Sequence, residues 1–201
     1  MLTAQKRPFF AVSLVFFCGS TALAAETAAR VEIIVSVRQQ RMLVLTGKRA
    51  LAFYPVSTSK FGTGDTPGRY GTPLGILCVR EKIGDGAPLG AVFKSRRRTG
   101  EVLPPNARGR DPIVTRILWL DGEEPANRNA FARCIYIHGT PQEKALGRPA
   151  SYGCIRMRSR DVAELYDFIG RGTPVRIIKG NLPVFSPEGR SLVASASRWG
   201  R

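Results

Sequence analysis

The chain has one histidine, His138, and only 15 acidic residues against 31 basic ones. One histidine without a cluster of cysteines or carboxylates cannot build a typical zinc site, so we expect no metal and no organic cofactor. The shortage of acidic residues gives a formal net charge of +16, which favours an anionic partner. The sequence also lacks an acidic cluster, a recognition-helix motif and a patch of interleaved aromatic residues, so we expect no nucleic-acid partner.

The N-terminus has the features of an export signal. Lys6 and Arg7 precede the apolar run FFAVSLVFFCGSTALAA, which reaches small residues at Ala22 and Ala24. This order predicts a secretory signal peptide over residues 1–24. The alternative is an uncleaved anchor, because the run is close to the lower limit of about 17 residues for a spanning helix. We expect a secreted protein, periplasmic or cell-wall associated, with no membrane span after cleavage.

Removal of the first 24 residues leaves 177 and lowers the formal charge to +14. That length fits one domain with its own core, which we assign to residues 25–180. Residues 181–201 have low complexity and no clear period, so we expect a loose C-terminal tail.

The patterns along the chain predict a mainly β fold. Short β-branched and aromatic runs at 31–37, 41–47 and 50–56 are typical of a meander, and further runs lie at 75–81, 113–120, 133–139 and 174–179. One main helix is predicted at about 159–170, capped by Ser159, with a shorter helical turn at 142–146.

Long connections are predicted at 57–75 and 81–112. Loops of this length are usually functional or disordered. The second contains the basic cluster Lys94, Arg96, Arg97 and Arg98, interpreted as a solvated charge run or as a guide for an anionic polymer.

Three cysteines follow the predicted signal: Cys78, Cys134 and Cys154. An odd number in an oxidising compartment leaves at least one thiol unpaired within a monomer. Cys78 and Cys134 lie in strand-like runs, where they either pack as small hydrophobic residues or form a disulfide if the fold makes them neighbours. Cys154 then remains free.

Cys154 and His138 form a candidate catalytic pair. A thiol reacts as its thiolate, and a neighbouring histidine is the usual group that lowers its pKa. His138 ends the run CIYIH and Cys154 begins CIRM, so adjacent strand ends would bring the two together. Gly139 and Gly153 fit positions of close backbone approach or positive φ. The amides of Gly153 and Cys154 could form an oxyanion hole.

Each of these residues also has a structural interpretation. A single histidine or cysteine in a strand is more often a core residue than a catalytic one. Arg156 could form a structural ion pair, or it could bind a substrate carboxylate or favour the thiolate. Ser151 could be a loop residue or the group that orients the imidazole.

The motifs HGT at 138–140 and SYGCIRM at 151–157 resemble the signature of the L,D-transpeptidase catalytic domain, a family of bacterial enzymes that remodel peptidoglycan with a cysteine nucleophile. The similarity extends upstream to Thr72-Pro73-Leu74-Gly75 and downstream to GTPVRI, covering residues 31 to about 180. It implies a β-sandwich of the L,D-transpeptidase type with long active-site loops.

The resemblance implies a role for each matching residue. Cys154 would be the nucleophile, His138 the base, Ser151 the residue orienting His138, and Gly153 with Cys154 the oxyanion hole. Substrate binding would involve Arg156, Tyr152, Gly139 and Thr140. Tyr152 stands where the family most often has histidine, so it would contribute shape or a hydroxyl hydrogen bond instead of a second imidazole.

The implied reaction is attack of Cys154 on the carbonyl of the third stem-peptide residue of peptidoglycan, with release of D-Ala and transfer of the acyl group to an amine. That amine would belong to another stem, giving a 3-3 crosslink, or to a protein tethered to the wall. Water as acceptor would make a carboxypeptidase, and carbapenems would acylate Cys154. The rival from another class is a non-catalytic, basic cell-wall-binding module.

Overall fold

The computed structural model describes residues 30–184. The predicted signal peptide at 1–24 and all of the predicted tail except 181–184 lie outside the described residues. Leu182, at the start of that tail, is buried against the sheet, and its N–H donates to the Gln39 side chain at 2.8 Å.

The predicted meander is confirmed. It consists of β1 (Val31–Ser36), β2 (Arg41–Thr46) and β3 (Arg49–Pro55), paired antiparallel in chain order. Both faces of β2 are covered, because Met42 and Val44 contribute to the larger core while Leu43 and Leu45 contribute to a smaller one. This double burial explains why the run is apolar at successive positions rather than alternating.

The remaining strands extend the same sheet. In chain order they are β4 (Gly75–Ile83), β5 (Ala91–Lys94), β6 (Arg97–Val102), β7 (Ile113–Gly122), β8 (Tyr136–Gly139), β9 (Ile155–Met157) and β10 (Pro174–Ile178). The order across the sheet is β3-β2-β1-β10-β4-β7-β5-β6, and β8 pairs with both β7 and β9. The mainly β fold with one main helix is confirmed, with all ten described strands joined in one mixed sheet.

The helix α1 (Ser159–Phe168) packs on the larger core through Val162, Leu165 and Tyr166. The predicted apolar stripe is therefore confirmed, but the predicted cap is wrong. Arg158 occupies the N-cap position without a side-chain cap bond, and Ser159 is already the first helical residue. The Ser159 N–H is instead satisfied by the Glu143 carboxylate at 2.9 Å. Glu143 begins the short 3-10 turn Glu143–Ala145, within the predicted turn.

The prediction of an unstructured connection at 81–112 is wrong in part. β4 continues to Ile83, and β5 and β6 form a hairpin within the segment. Its turn residues Ser95 and Arg96 have φ of 49° and 65°, a conformation normally supplied by Asn-Gly. β6 is exposed throughout, so no apolar alternation marks it in the sequence. The basic cluster therefore lies on an ordered hairpin.

Cys78, Cys134 and Cys154 are all free thiols in the structure. Within residues 30–184, no group of three or more His, Cys, Asp or Glu side chains is arranged to hold a metal ion. None of the helices in that same part of the chain combines the length and apolar character needed to cross a membrane.

Candidate active site

Two short parallel strands carry the regions around His138 and Cys154. β8 pairs with β9, and His138 lies opposite Arg156 in the register. Cys154 directly precedes β9, and the Tyr136 N–H of β8 donates to its sulfur. His138 follows Tyr136 by two residues along the same strand. β8 and β9 thus lie side by side as predicted, whereas direct contact between the Cys154 thiol and the His138 imidazole stays a prediction. The hydrogen bonds of the thiol go to the backbone.

The Cys154 sulfur is enclosed by the chain just before β8. Its Sγ donates to the carbonyl oxygen of Cys134 at 3.4 Å and accepts the N–H of Tyr136 at 3.4 Å. Burial raises the pKa of the Cys154 thiol to about 11, against smaller lowering effects from the Tyr136 N–H and the charge of Arg156. The expectation of a lowered thiol pKa is therefore wrong for the resting site, because desolvation outweighs the favourable neighbours.

His138 is also held in its neutral form. Burial lowers its pKa to about 4, although the Gly139 carbonyl partly opposes this shift. The ring Nδ1 lies 2.8 Å from that carbonyl oxygen. Because a carbonyl only accepts, Nδ1 carries the proton and Nε2 is the nitrogen left to act as a base.

The predicted role of Ser151 in orienting His138 is wrong, since the Gly139 carbonyl makes the orienting contact. Ser151 Oγ instead donates to the carbonyl oxygen of Cys154 at 2.6 Å and accepts the N–H of Gly153 at 3.2 Å. The serine thus fixes the turn that carries Cys154. Because the Gly153 N–H already donates to Ser151 Oγ, the Cys154 N–H is the remaining one of the two predicted oxyanion-hole donors.

Both predicted glycine constraints are confirmed. Gly153 has φ of 122°, and a Cβ there would lie 3.2 Å from Ile135 Cδ1. At Gly139 a Cβ would lie 2.6 Å from the Val114 carbonyl oxygen. The first glycine permits the turn before Cys154, and the second permits β8 to approach β7.

Arg156 forms a structural ion pair, which is one of the roles that the sequence suggested for it. Its Nη1 lies 2.7 Å from Asp111 Oδ2, and both side chains are largely buried. Asp111 also accepts the hydroxyl of Thr140, which is fully buried. The predicted direct contact of Thr140 with substrate is therefore wrong, and Arg156 acts on Cys154 through its charge.

Tyr152 is exposed beside the nucleophile turn, as its predicted substrate contact requires. Its ring contacts those of Phe61 and Tyr70, with centroids 5.4 and 5.8 Å away. Its hydroxyl accepts a hydrogen bond from Lys60 Nζ at 3.1 Å. The tyrosine thus supplies shape and a hydroxyl contact where the family most often has an imidazole.

The sequence interpretation missed three residues of the site. Asp111 lies at the end of a predicted loop, and nothing in the local pattern marks it as the partner of Arg156. Tyr136 and Cys134 act on the thiol through backbone groups, which residue type does not reveal.

Together these contacts define a mainly β protein with a partly buried Cys154 directly before β9 and a buried His138 in the adjacent strand β8. The family model for the L,D-transpeptidase catalytic domain (YkuD) matches residues 30–177. The chain therefore belongs to the L,D-transpeptidase catalytic-domain family, as the HGT and SYGCIRM motifs predicted.

Individual relatives agree with this assignment. The chain is 27% identical over 171 residues to the "Probable L,D-transpeptidase YcfS" of Escherichia coli, covering 83% of this chain and 50% of that protein. It is 26% identical over 176 residues to the "Probable L,D-transpeptidase ErfK/SrfK" of Salmonella typhimurium, covering 83% and 51%. The chain thus spans about half the length of these relatives. A solved L,D-transpeptidase from Mycobacterium smegmatis aligns with a TM-score of 0.49 at 17% identity, covering 75% of this chain and 59% of that one.

Proposed function

We propose that this protein is an exported peptidoglycan L,D-transpeptidase with Cys154 as its nucleophile. The observation that supports the proposal is the parallel pairing of β8, which contains His138, with β9, which directly follows Cys154, in a chain of this family. The net charge of +16 suits an anionic wall polymer as the substrate. The predicted signal peptide would deliver the enzyme to the periplasm or the cell wall.

In the proposed mechanism the resting thiol and imidazole are both neutral. His138 Nε2 takes the thiol proton as Sγ attacks the carbonyl carbon of the third stem-peptide residue. We expect this residue to be diaminopimelate. The Cys154 amide stabilises the developing oxyanion. Collapse of the tetrahedral intermediate breaks the peptide bond, and the leaving D-Ala amine receives the proton from His138. An acyl thioester on Cys154 remains.

An amine completes the reaction by attacking the thioester carbonyl, with His138 taking the amine proton and returning it to the thiol. The amine belongs either to a second stem, which gives a 3-3 crosslink, or to a protein that becomes tethered to the wall. Carbapenems would acylate Cys154 by the same attack, because their strained amide presents a carbonyl to the thiol.

The test is intact-mass spectrometry of the protein with a disaccharide-tetrapeptide donor, beside Cys154→Ala. We expect a thioester adduct with loss of D-Ala, absent from the variant. The product formed after an amine is added separates transpeptidation from hydrolysis by water. A folded protein that binds wall fragments without forming an adduct would contradict the enzyme proposal and favour the wall-binding module.

A further inference from the structure

The turn between β5 and β6 carries an arginine that the mechanism does not use. Ser95 and Arg96 both have positive φ although neither is glycine. Such residues cost free energy and persist where the surrounding structure holds them, often at functional sites. The conformation of this turn therefore makes the Arg96 side chain a candidate for a functional role.

The Arg96 guanidinium lies on an aromatic platform. It is 4.6 Å from the centroid of the Trp119 ring, which stacks on Phe131 at 4.0 Å. Nη1 is also 3.4 Å from the Tyr136 hydroxyl and 3.9 Å from Cys134 Sγ. These contacts restrict the side chain to one side of the sheet although Arg96 is exposed.

Tyr136 and Cys134 also contact the proposed nucleophile, Cys154. The backbone N–H of Tyr136 donates to Cys154 Sγ, and the Cys134 carbonyl accepts from it. Arg96 contacts the side chains of Tyr136 and Cys134, whereas Cys154 contacts their backbone. Tyr136 and Cys134 therefore each contact both the Arg96 guanidinium and the Cys154 thiol.

Arg96 differs from Arg156 and Arg133 in its ion pairing. Arg156 is paired with Asp111, and Arg133 with Asp65 at 2.7 Å. Among the ion pairs formed within residues 30–184, none involves Arg96. The exposed guanidinium is thus not neutralised by a direct ion pair in that part of the chain, and Glu81 acts on its charge only at longer range.

We propose that Arg96 binds a carboxylate of the donor stem peptide and so aligns the scissile carbonyl with Cys154. This inference rests on the proposed function. A tetrapeptide stem offers two suitable groups near the scissile bond, the terminal D-Ala carboxylate and the side-chain carboxylate of the third residue. A guanidinium positioned over an indole can bind either one in bidentate fashion, which an ammonium cannot do.

The test measures binding by calorimetry, with Cys154→Ala as the background so that no turnover occurs. The ligands are the tetrapeptide and two analogues, each with one of the two carboxylates converted to a carboxamide. Arg96→Gln is compared with Arg97→Gln, which removes the same charge from the exposed adjacent position. Arg96→Lys tests whether charge alone is sufficient.

We expect Arg96→Gln to raise the Kd of the tetrapeptide by about 5- to 10-fold, and Arg97→Gln by less than about 2-fold. Amidation of the bound carboxylate raises the Kd for the protein with Arg96 but leaves it unchanged for Arg96→Gln. The analogue that has this effect identifies the carboxylate. Arg96→Lys retains only part of the discrimination.

Equal losses for Arg96→Gln and Arg97→Gln would overturn the inference while leaving the proposed function in place. So would unchanged discrimination between carboxylate and carboxamide in Arg96→Gln. If neither the tetrapeptide nor its analogues bind to the background protein, the proposed function itself fails, and this inference fails with it.

Discussion

At the residue scale, the two reactive groups are neutral when no substrate is bound. The pKa of Cys154 is raised to about 11 and that of His138 is lowered to about 4, and burial is the largest cause of both shifts. Between these values the neutral thiol and neutral imidazole predominate. Proton transfer would therefore accompany the attack on substrate rather than precede it.

This electrostatic balance predicts how alkylation of Cys154 depends on pH. A thiol far below its pKa gains about tenfold in thiolate per pH unit, so the rate with iodoacetamide should rise about 100-fold from pH 7 to pH 9. The rate is measured by peptide mass spectrometry, in a Cys78→Ala, Cys134→Ala background. A rate that is already level at pH 7 would indicate a preformed thiolate–imidazolium pair and contradict the neutral assignment.

The pairing of Asp111 with Arg156 predicts a second residue-scale effect. Asp111→Ala leaves the largely buried Arg156 charge without its partner and should lower the free energy of unfolding by about 3 kcal/mol. Asp121→Ala is the matched control, because its ion pair with Arg80 is more exposed and should contribute less than about 1 kcal/mol. Urea unfolding measures both. Equal effects would show that burial adds nothing to the Asp111 pair.

At the element scale, the 57–75 segment supports the turn that carries the nucleophile. Ser59 forms a β-bridge with Ser151, and Thr72 Oγ1 donates to the Gly153 carbonyl oxygen at 3.0 Å. Arg133 holds the same segment through Asp65 and the Gly71 carbonyl. The long connection is thus an ordered part of the site, and this accounts for the Thr72-Pro73-Leu74-Gly75 motif upstream of the catalytic residues.

Thr72→Val tests this support. The substitution keeps the shape but removes the hydrogen bonds of the Thr72 hydroxyl with the Gly153 carbonyl and the Ser59 N–H. Both buried groups are then unsatisfied, so the change should cost about 1–3 kcal/mol of unfolding free energy. It should also slow formation of the Cys154 adduct in the intact-mass assay. Thr66→Val, at an exposed position of the same segment, should change neither quantity. A normal adduct rate in Thr72→Val would show that support by the 57–75 segment is not needed for adduct formation.

At the scale of the whole molecule, the excess of basic residues predicts salt-dependent binding to the wall. Interactions between exposed charges are screened over about 10 Å at 0.1 M salt and about 3 Å at 1 M. Binding of the Cys154→Ala protein to purified sacculi should therefore weaken several-fold between 0.05 and 0.5 M sodium chloride. Co-sedimentation measures it, and salt-independent binding would contradict an electrostatic origin.

The sequence determined the mainly β class, the meander, the helix and the family, because these depend on local periodicity and on the motifs around His138 and Cys154. The structure decided what those motifs contact. The pairing of β8 with β9 sets His138 opposite Arg156, and the 57–75 segment, distant in sequence, supports Gly153 through Thr72.

The corrections at the site have two physical reasons. The first is that backbone groups, which every residue carries, make the decisive contacts. The Gly139 carbonyl rather than Ser151 contacts the His138 imidazole, and the Tyr136 N–H contacts the Cys154 thiol. The second is burial by distant parts of the chain, on which the pKa shifts of Cys154 and His138 depend. Residue types therefore determined which groups are available for chemistry, whereas tertiary packing decided their partners and their charge.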